Sequence, residues 1–155
     1  MFRNREEAGR MLADKLSQYR NDPTALILAL PRGGVAVGYQ LSLALHLSLD
    51  VFITRKIGAP GNPEYAIGAV AETGSCSLNQ EAVNSFGLSQ HELDQLIHVQ
   101  EKEIARRKNL YRQERSLPQL TGRTVLLVDD GIATGSTFMA SALAIRSLQI
   151  GRAHV

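Results

Sequence analysis

The sequence predicts an α/β fold in which a mostly parallel central sheet is flanked by helices. Three observations carry that prediction. Two short apolar runs, Ala25–Leu30 (ALILAL) and Val125–Val128 (VLLV), have the unbroken hydrophobicity of strands covered on both faces. Each run leads into a turn containing glycine, Pro31-Arg32-Gly33-Gly34 in one case and Gly131–Thr137 in the other, and each turn opens a helical pattern. A length of 155 residues gives one domain with room for a buried core.

Composition narrows the class. Hydrophobic content of 44% and charged content of 21% are those of a globular protein. A net charge of +2 makes no case for a nucleic-acid or membrane-surface partner. No apolar run approaches the length of a membrane span and Met1–Glu6 lacks a signal-peptide core, so a cytoplasmic location is expected. The single cysteine, Cys76, excludes an internal disulfide and a thiolate metal cluster, and reads as a half-buried strand residue.

In chain order, Asn4 followed by Glu7 resembles a capping box, and Ala8, Leu12, Leu16 and Tyr19 then recur at helical spacing. Asn21-Asp22-Pro23 stops that helix ahead of the first strand, Ala25–Leu30. After the Arg32-Gly33-Gly34 turn a second helix is expected over Val35–Leu47, with His46 structural. A guanidinium fork beside two glycines suits a diphosphate, although a plain turn with a surface arginine has the same pattern.

Leu49–Thr54 reads as the second strand, with Arg55 and Lys56 at its carboxyl end, either solvated or facing a ligand. Ile57–Tyr65 holds two prolines and two glycines and reads as a mobile loop. Two shorter strands, Ala66–Ala71 and Ser75–Leu78, follow, joined by a turn in which Glu72 is either a ligand contact or an exposed acid, the second reading being favoured. Ser89 and Glu92 form a capping box for a long helix to about Arg115, marked by Leu93, Leu96, Ile97, Ile104 and Tyr111. Arg106-Arg107-Lys108, after Glu101 and Glu103, is a solvated mixed-charge face, and His91 and His98 lack partners at metal-ligand spacing.

The stretch around which the chain is organised is Thr124–Ser141, TVLLVDDGIATGSTFMAS. Asp129 and Asp130 end a buried strand, and the small residues Gly131, Ala133, Thr134, Gly135, Ser136 and Thr137 lead to a helix expected over Phe138–Leu148. Such a loop at a helix N-terminus is an anion site. Two carboxylates beside it would repel a phosphate that they faced, so they suit neutral hydroxyls or a cation. A phosphorylated sugar with vicinal hydroxyls satisfies both halves.

This order of strand, acid pair and Gly/Thr/Ser loop closely resembles the phosphoribosyl diphosphate (PRPP) signature of the type I phosphoribosyltransferases. The segment RKIGAPGNPEYAIGAV resembles a subgroup of that family with no settled substrate. The resemblance implies the Rossmann-like type I fold. It assigns the ribose 2′- and 3′-hydroxyls to Asp129 and Asp130, and the 5′-phosphate to the loop of Gly131, Ala133, Thr134, Gly135, Ser136 and Thr137. The diphosphate falls to Arg32, Gly33 and Gly34, in a turn that often carries a non-proline cis peptide. Lys56 would approach the diphosphate, and Pro60–Tyr65 would close as a lid.

The implied reaction moves the 5-phosphoribosyl group from PRPP to a nitrogenous base and releases pyrophosphate, a step of nucleotide or nucleoside metabolism. Arg32 and Lys56 are its candidate catalytic residues. Mg²⁺ is the implied cofactor, held mainly by PRPP with Asp129 or Asp130 as protein ligands. A homodimer is common in the family. The alternative is a non-catalytic PRPP-binding regulatory module. VLLVDDG also resembles the first strand and acid pair of a phosphoacceptor receiver domain, which needs a phosphorylatable Asp after a later strand.

The last six residues, Ile150–Val155 (IGRAHV), match the conceptual translation of a common sequencing-library adapter. The domain is therefore expected over residues 1–149 and incomplete at its C-terminal end, where a strand returning from the last helix and a base-contacting segment would follow.

Overall fold

A computed structural model of the chain describes residues 3–148 and the backbone of residues 152–154. In chain order its elements are α1 (Arg5–Lys15), a 3-10 turn (Ser17–Tyr19), β1 (Ala25–Ala29), α2 (Gly33–Leu45), β2 (Ser48–Val51), β3 (Thr54–Ala59), β4 (Asn62–Ala71), β5 (Cys76–Leu78), α3 (Gln80–Ser85), α4 (Gln90–Arg112), β6 (Thr124–Val128), α5 (Ser136–Ser147) and β7 (Arg152–His154). They fall into two compact units. The first takes Met1–Phe52, Leu117–Ala133 and Ile145–Val155, and the second takes Ile53–Ser116 and Thr134–Ala144.

The first unit is built on a parallel sheet in the order β2-β1-β6-β7. All five residues of β1 are buried, as a strand with neighbours on both edges and cover on both faces requires. Leu26 pairs with Ser48 on one side and Val125 on the other. Ile27, Val37, Leu41, Leu45, Leu126 and Val128 form the core, with Ala13 of α1 joining it. The Asn4 side chain caps α1 by accepting the Glu7 N–H at 2.8 Å. His46, expected within a helix running to Leu47, is exposed and instead caps α2 after Leu45 in the left-handed conformation (φ 54°).

The sheet runs on past residue 149. The backbone of β7 pairs in parallel with β6, Thr124 opposite Arg152, which is where a strand returning from α5 would lie. The boundary expected between Gln149 and Ile150 lies outside the described residues.

The second unit carries an antiparallel sheet, β3-β4-β5, with α3 and α4. Its core gathers Ile53, Ile57, Ile67, Val70, Val83, Leu93 and Ile104. Here the expectation for Leu49–Thr54 is corrected. The parallel strand ends at Val51, and Thr54 starts a strand of the other sheet, opposite Ala71. Arg55 and Lys56 are therefore hairpin residues, not the carboxyl end of a parallel strand.

The loop expected over Ile57–Tyr65 is likewise paired backbone, with Ala59 opposite Asn62. The reason is turn chemistry: Pro60 at the second position and Gly61 at the third with φ 74° fit a type II turn, which reverses the chain in two residues. Cys76 lies in a strand but is exposed rather than half-buried.

The capping box of Ser89 and Glu92 is complete, and α4 ends at Arg112 rather than Arg115. On its outer face Glu103 accepts from Arg106 Nε (2.9 Å) and Arg107 Nε (2.8 Å), which hold its carboxyl down to about 2. Glu72 departs most from expectation. Its side chain is 2% exposed and bonded to Arg112, itself 1% exposed, while its second oxygen accepts the Ile53 N–H at 2.7 Å. Among the described residues, no helix is long and apolar enough to cross a membrane.

Candidate functional site

Parallel pairing of β1 with β6 decides the geometry of the acid pair. Ala29 lies opposite Val128, and the Leu30 N–H donates to the Val128 carbonyl at 2.8 Å. The turns that leave these two strands are therefore neighbours, although about a hundred residues apart in sequence. Gly33 and Gly34 pack directly against the strand end that bears Asp129 and Asp130. A Cβ on Gly33 would lie 1.9 Å from Asp130 Oδ2, and one on Gly34 would lie 2.7 Å from the Val128 carbonyl oxygen and 3.0 Å from Asp129 Cα. Only glycine allows this approach. The Pro31–Arg32 peptide bond is cis.

The obstruction at Gly34 is backbone, which cannot rotate aside. Gly34→Ala is expected to destabilise the protein by about 1–3 kcal/mol through overpacking. Denaturant unfolding of the variant checks it. An unchanged midpoint would show that Gly34 does not pack against the end of β6.

Arg32 is exposed and stands at the N-terminus of α2. The two acids differ in state. Burial pushes the Asp129 carboxyl up, while its Oδ1 accepts the Asp130 backbone N–H at 2.8 Å. Asp130 is held below the ordinary carboxylate range, first by hydrogen bonds from Arg5, whose Nε (3.0 Å) and Nη2 (2.7 Å) both donate to Oδ2. Arg5 was not among the sequence candidates. Nothing local marks it, since its partner lies 125 residues away.

The chain runs from Asp130 through Gly131 and Ala133 into the hydroxyl-bearing part of the loop, which belongs to the second unit. Gly135 takes φ 77°, and the Thr134 and Ser136 hydroxyls are 3.3 Å apart. The helix starts at Ser136, earlier than Phe138, so Ser136 and Thr137 lie in its first turn, where backbone N–H groups lack intrahelical acceptors. Ser141 Oγ donates to the Thr137 carbonyl and shares a hydrogen bond with the Thr54 hydroxyl, both at 2.8 Å, tying that turn to β3.

Lys56 Nζ lies 3.3 Å from both the carboxylate and the carbonyl of Glu64 across the hairpin. A cavity of about 220 Å³ lies between Ser136, Met139 and Leu143 of α5 and Ala66, Ser77 and Asn79 of the antiparallel sheet. A larger cleft of about 410 Å³ beside Glu72, Glu101 and Lys108 contains none of the other candidate residues.

The structure thus brings Arg32, Gly33 and Gly34 together with Asp129 and Asp130 in one unit. It places Thr134, Gly135, Ser136, Thr137 and Lys56 in the other. The donor set fits Mg²⁺ shared with a ligand. Among the described residues, no group of three or more His, Cys, Asp or Glu could hold a metal, but Asp129 offers a half-buried carboxylate, and this ion usually takes one or two carboxylates with phosphate oxygens.

The chain is 40% identical over 154 residues to proteins provisionally named phosphoribosyl transferases from two Mycobacterium tuberculosis strains, CDC 1551 and H37Rv; the match covers 99% of this chain and 33% of theirs. It therefore spans about a third of the length of these curated relatives.

Among solved structures, TT1426 from Thermus thermophilus superposes with a TM-score of 0.79 at 38% identity, over 98% of this chain and 72% of that one. A hypoxanthine phosphoribosyltransferase from Staphylococcus aureus matches with a TM-score of 0.55 at 13% identity, over 96% and 59% of the two chains. A purine phosphoribosyltransferase from Pyrococcus horikoshii matches with 0.53 at 18%, over 96% and 67%. These last two speak to fold alone, the type I fold. The model of the phosphoribosyl transferase domain family matches residues 3–153, the span that holds both turns and the acid pair against which the glycines pack, and the chain belongs to that family.

Proposed function

We propose that this chain binds PRPP and transfers its 5-phosphoribosyl group to a nitrogenous base, releasing pyrophosphate. The observation that carries the reading is the packing of Gly33 and Gly34 against Asp129 and Asp130, which sets a basic, glycine-lined turn beside an acid pair. In this reading Asp129 and Asp130 accept from the ribose hydroxyls, and the loop from Gly131 through Thr137 takes the 5′-phosphate on backbone amides and hydroxyls. Arg32 and the amides of Gly33 and Gly34 take the diphosphate.

The reaction so supported is displacement at the anomeric carbon by a nitrogen nucleophile, through a transition state of oxocarbenium character. No side chain forms a bond to the sugar. Arg32 stabilises the charge that builds on the departing diphosphate, with Lys56 as a second cation once Glu64 yields it. Asp129 or Asp130 would hold Mg²⁺ together with the ligand's phosphate oxygens, and the ion would supply further charge neutralisation there. The hairpin end at Pro60–Tyr65 is the segment proposed to keep water from the reacting carbon. A cytoplasmic enzyme that works as a homodimer is the setting this reading implies.

Titration calorimetry with PRPP and Mg²⁺, followed by a pyrophosphate-release assay across a panel of bases, tests the proposal. Heat of binding and base-dependent release are expected. Binding with no release for any base would identify a regulatory PRPP module, and absence of binding would end the reading.

A further inference from the structure

Asp130 is gripped from two sides within the first unit. On one side lies the Gly33 backbone of the diphosphate turn, close enough that a methyl group there would collide with the carboxylate. On the other lies Arg5, whose Nε and Nη2 both donate to the single oxygen Oδ2. Arg5 is not a loose surface cation. It is the first residue of α1, a helix fixed at its start by the Asn4 cap. That helix crosses α2 so closely that a Cβ on Gly9 would lie 2.5 Å from Gln40 Cβ. The helix carrying Arg5 is thus docked on the helix whose first turn holds Gly33 and Gly34.

An exposed ion pair of this kind contributes little to stability, because solvent screens it and ordering two long side chains costs entropy. Arg5 is 60% exposed and Asp130 30%. The contact makes more sense as an arrangement for a ligand. Two adjacent carboxylates repel a polyanion, and a guanidinium fixed to one of them reduces that repulsion without occupying the turn.

We infer that Arg5 is a positioning residue for the sugar-diphosphate site, holding the Asp130 carboxylate over the Gly33 turn and offsetting part of the acid pair's charge toward an anionic ligand. This inference rests on the PRPP reading above. Arg5 touches no reacting atom and acts through Asp130.

The test measures affinity for PRPP with Mg²⁺ by calorimetry for the full chain and for Arg5→Ala, Arg5→Lys, Asp130→Asn and the Arg5→Ala/Asp130→Asn double variant. Arg5→Ala is expected to weaken binding about tenfold, with an unfolding midpoint close to that of the parent. Arg5→Lys should recover part of the loss, since it keeps the charge but not the fork. In the Asp130→Asn background the Arg5 change should have no further effect, because the two residues act as one unit.

Three results would overturn the role: unchanged affinity in Arg5→Ala, tighter affinity (which would make Arg5 a plug), or losses that simply add in the double variant. Failure of the parent chain to bind PRPP would instead remove the site itself. That outcome is read separately, from the parent alone.

Discussion

Arg32→Ala is expected to lower turnover in the pyrophosphate-release assay by about two to three orders of magnitude, the effect of removing one preorganised donor worth about 2.7–4 kcal/mol. The protein should remain folded. Arg32 is exposed at a helix start, and surface substitutions of that kind shift stability by only about 0.5 kcal/mol. Stability and activity therefore separate cleanly in this variant. Because the guanidinium is assigned to the departing diphosphate, the loss should fall on kcat more than on KM. Near-normal turnover in a folded Arg32→Ala protein would remove Arg32 from the mechanism.

The largest effect on stability is expected at Glu72→Ala. This change removes the Glu72 carboxylate from the Arg112 guanidinium, 1% exposed, and strips the Ile53 N–H of its acceptor. Breaking a buried pair by removing one partner costs about 3–5 kcal/mol. For a chain of this size each kcal/mol lowers the thermal midpoint by about 2–4 °C, so a fall on the order of 10 °C is expected in a calorimetric scan. A variant as stable as the parent would mean that water reaches Glu72.

What the sequence made legible were features that declare themselves over a few residues. The ALILA and VLLV runs gave the two central strands, Ser89 and Glu92 the start of α4, and the Arg32-Gly33-Gly34 and Asp129-Asp130 segments two turns that lie side by side in the candidate site. What it hid depends on pairs far apart in the chain. Arg5 meets Asp130 across 125 residues, and Arg112 meets Glu72 across 40.

One of these had a local signal. Arg112 lies eight residues after Ile104, on the helical repeat that marks the buried side of α4, so a charged residue there called for a buried partner. The hairpin was also readable. Prolines and glycines argue for a mobile loop only when scattered, whereas the adjacent pair Pro60-Gly61, with φ 74° at the glycine, is a turn of defined type.

The register of the parallel sheet has a consequence for how the protein is made. Ala25 pairs with Thr124, so β1 leaves the ribosome long before the strand that completes its other edge exists. Until then β2 can shield one flank only, and a fully apolar segment with open backbone groups is a template for wrong association. Closure of so distant a pairing is slow compared with local helix formation. Nascent chains from which β6 has yet to emerge should therefore be captured by chaperones that read exposed apolar strands, and chains from which Val128 has emerged should be released.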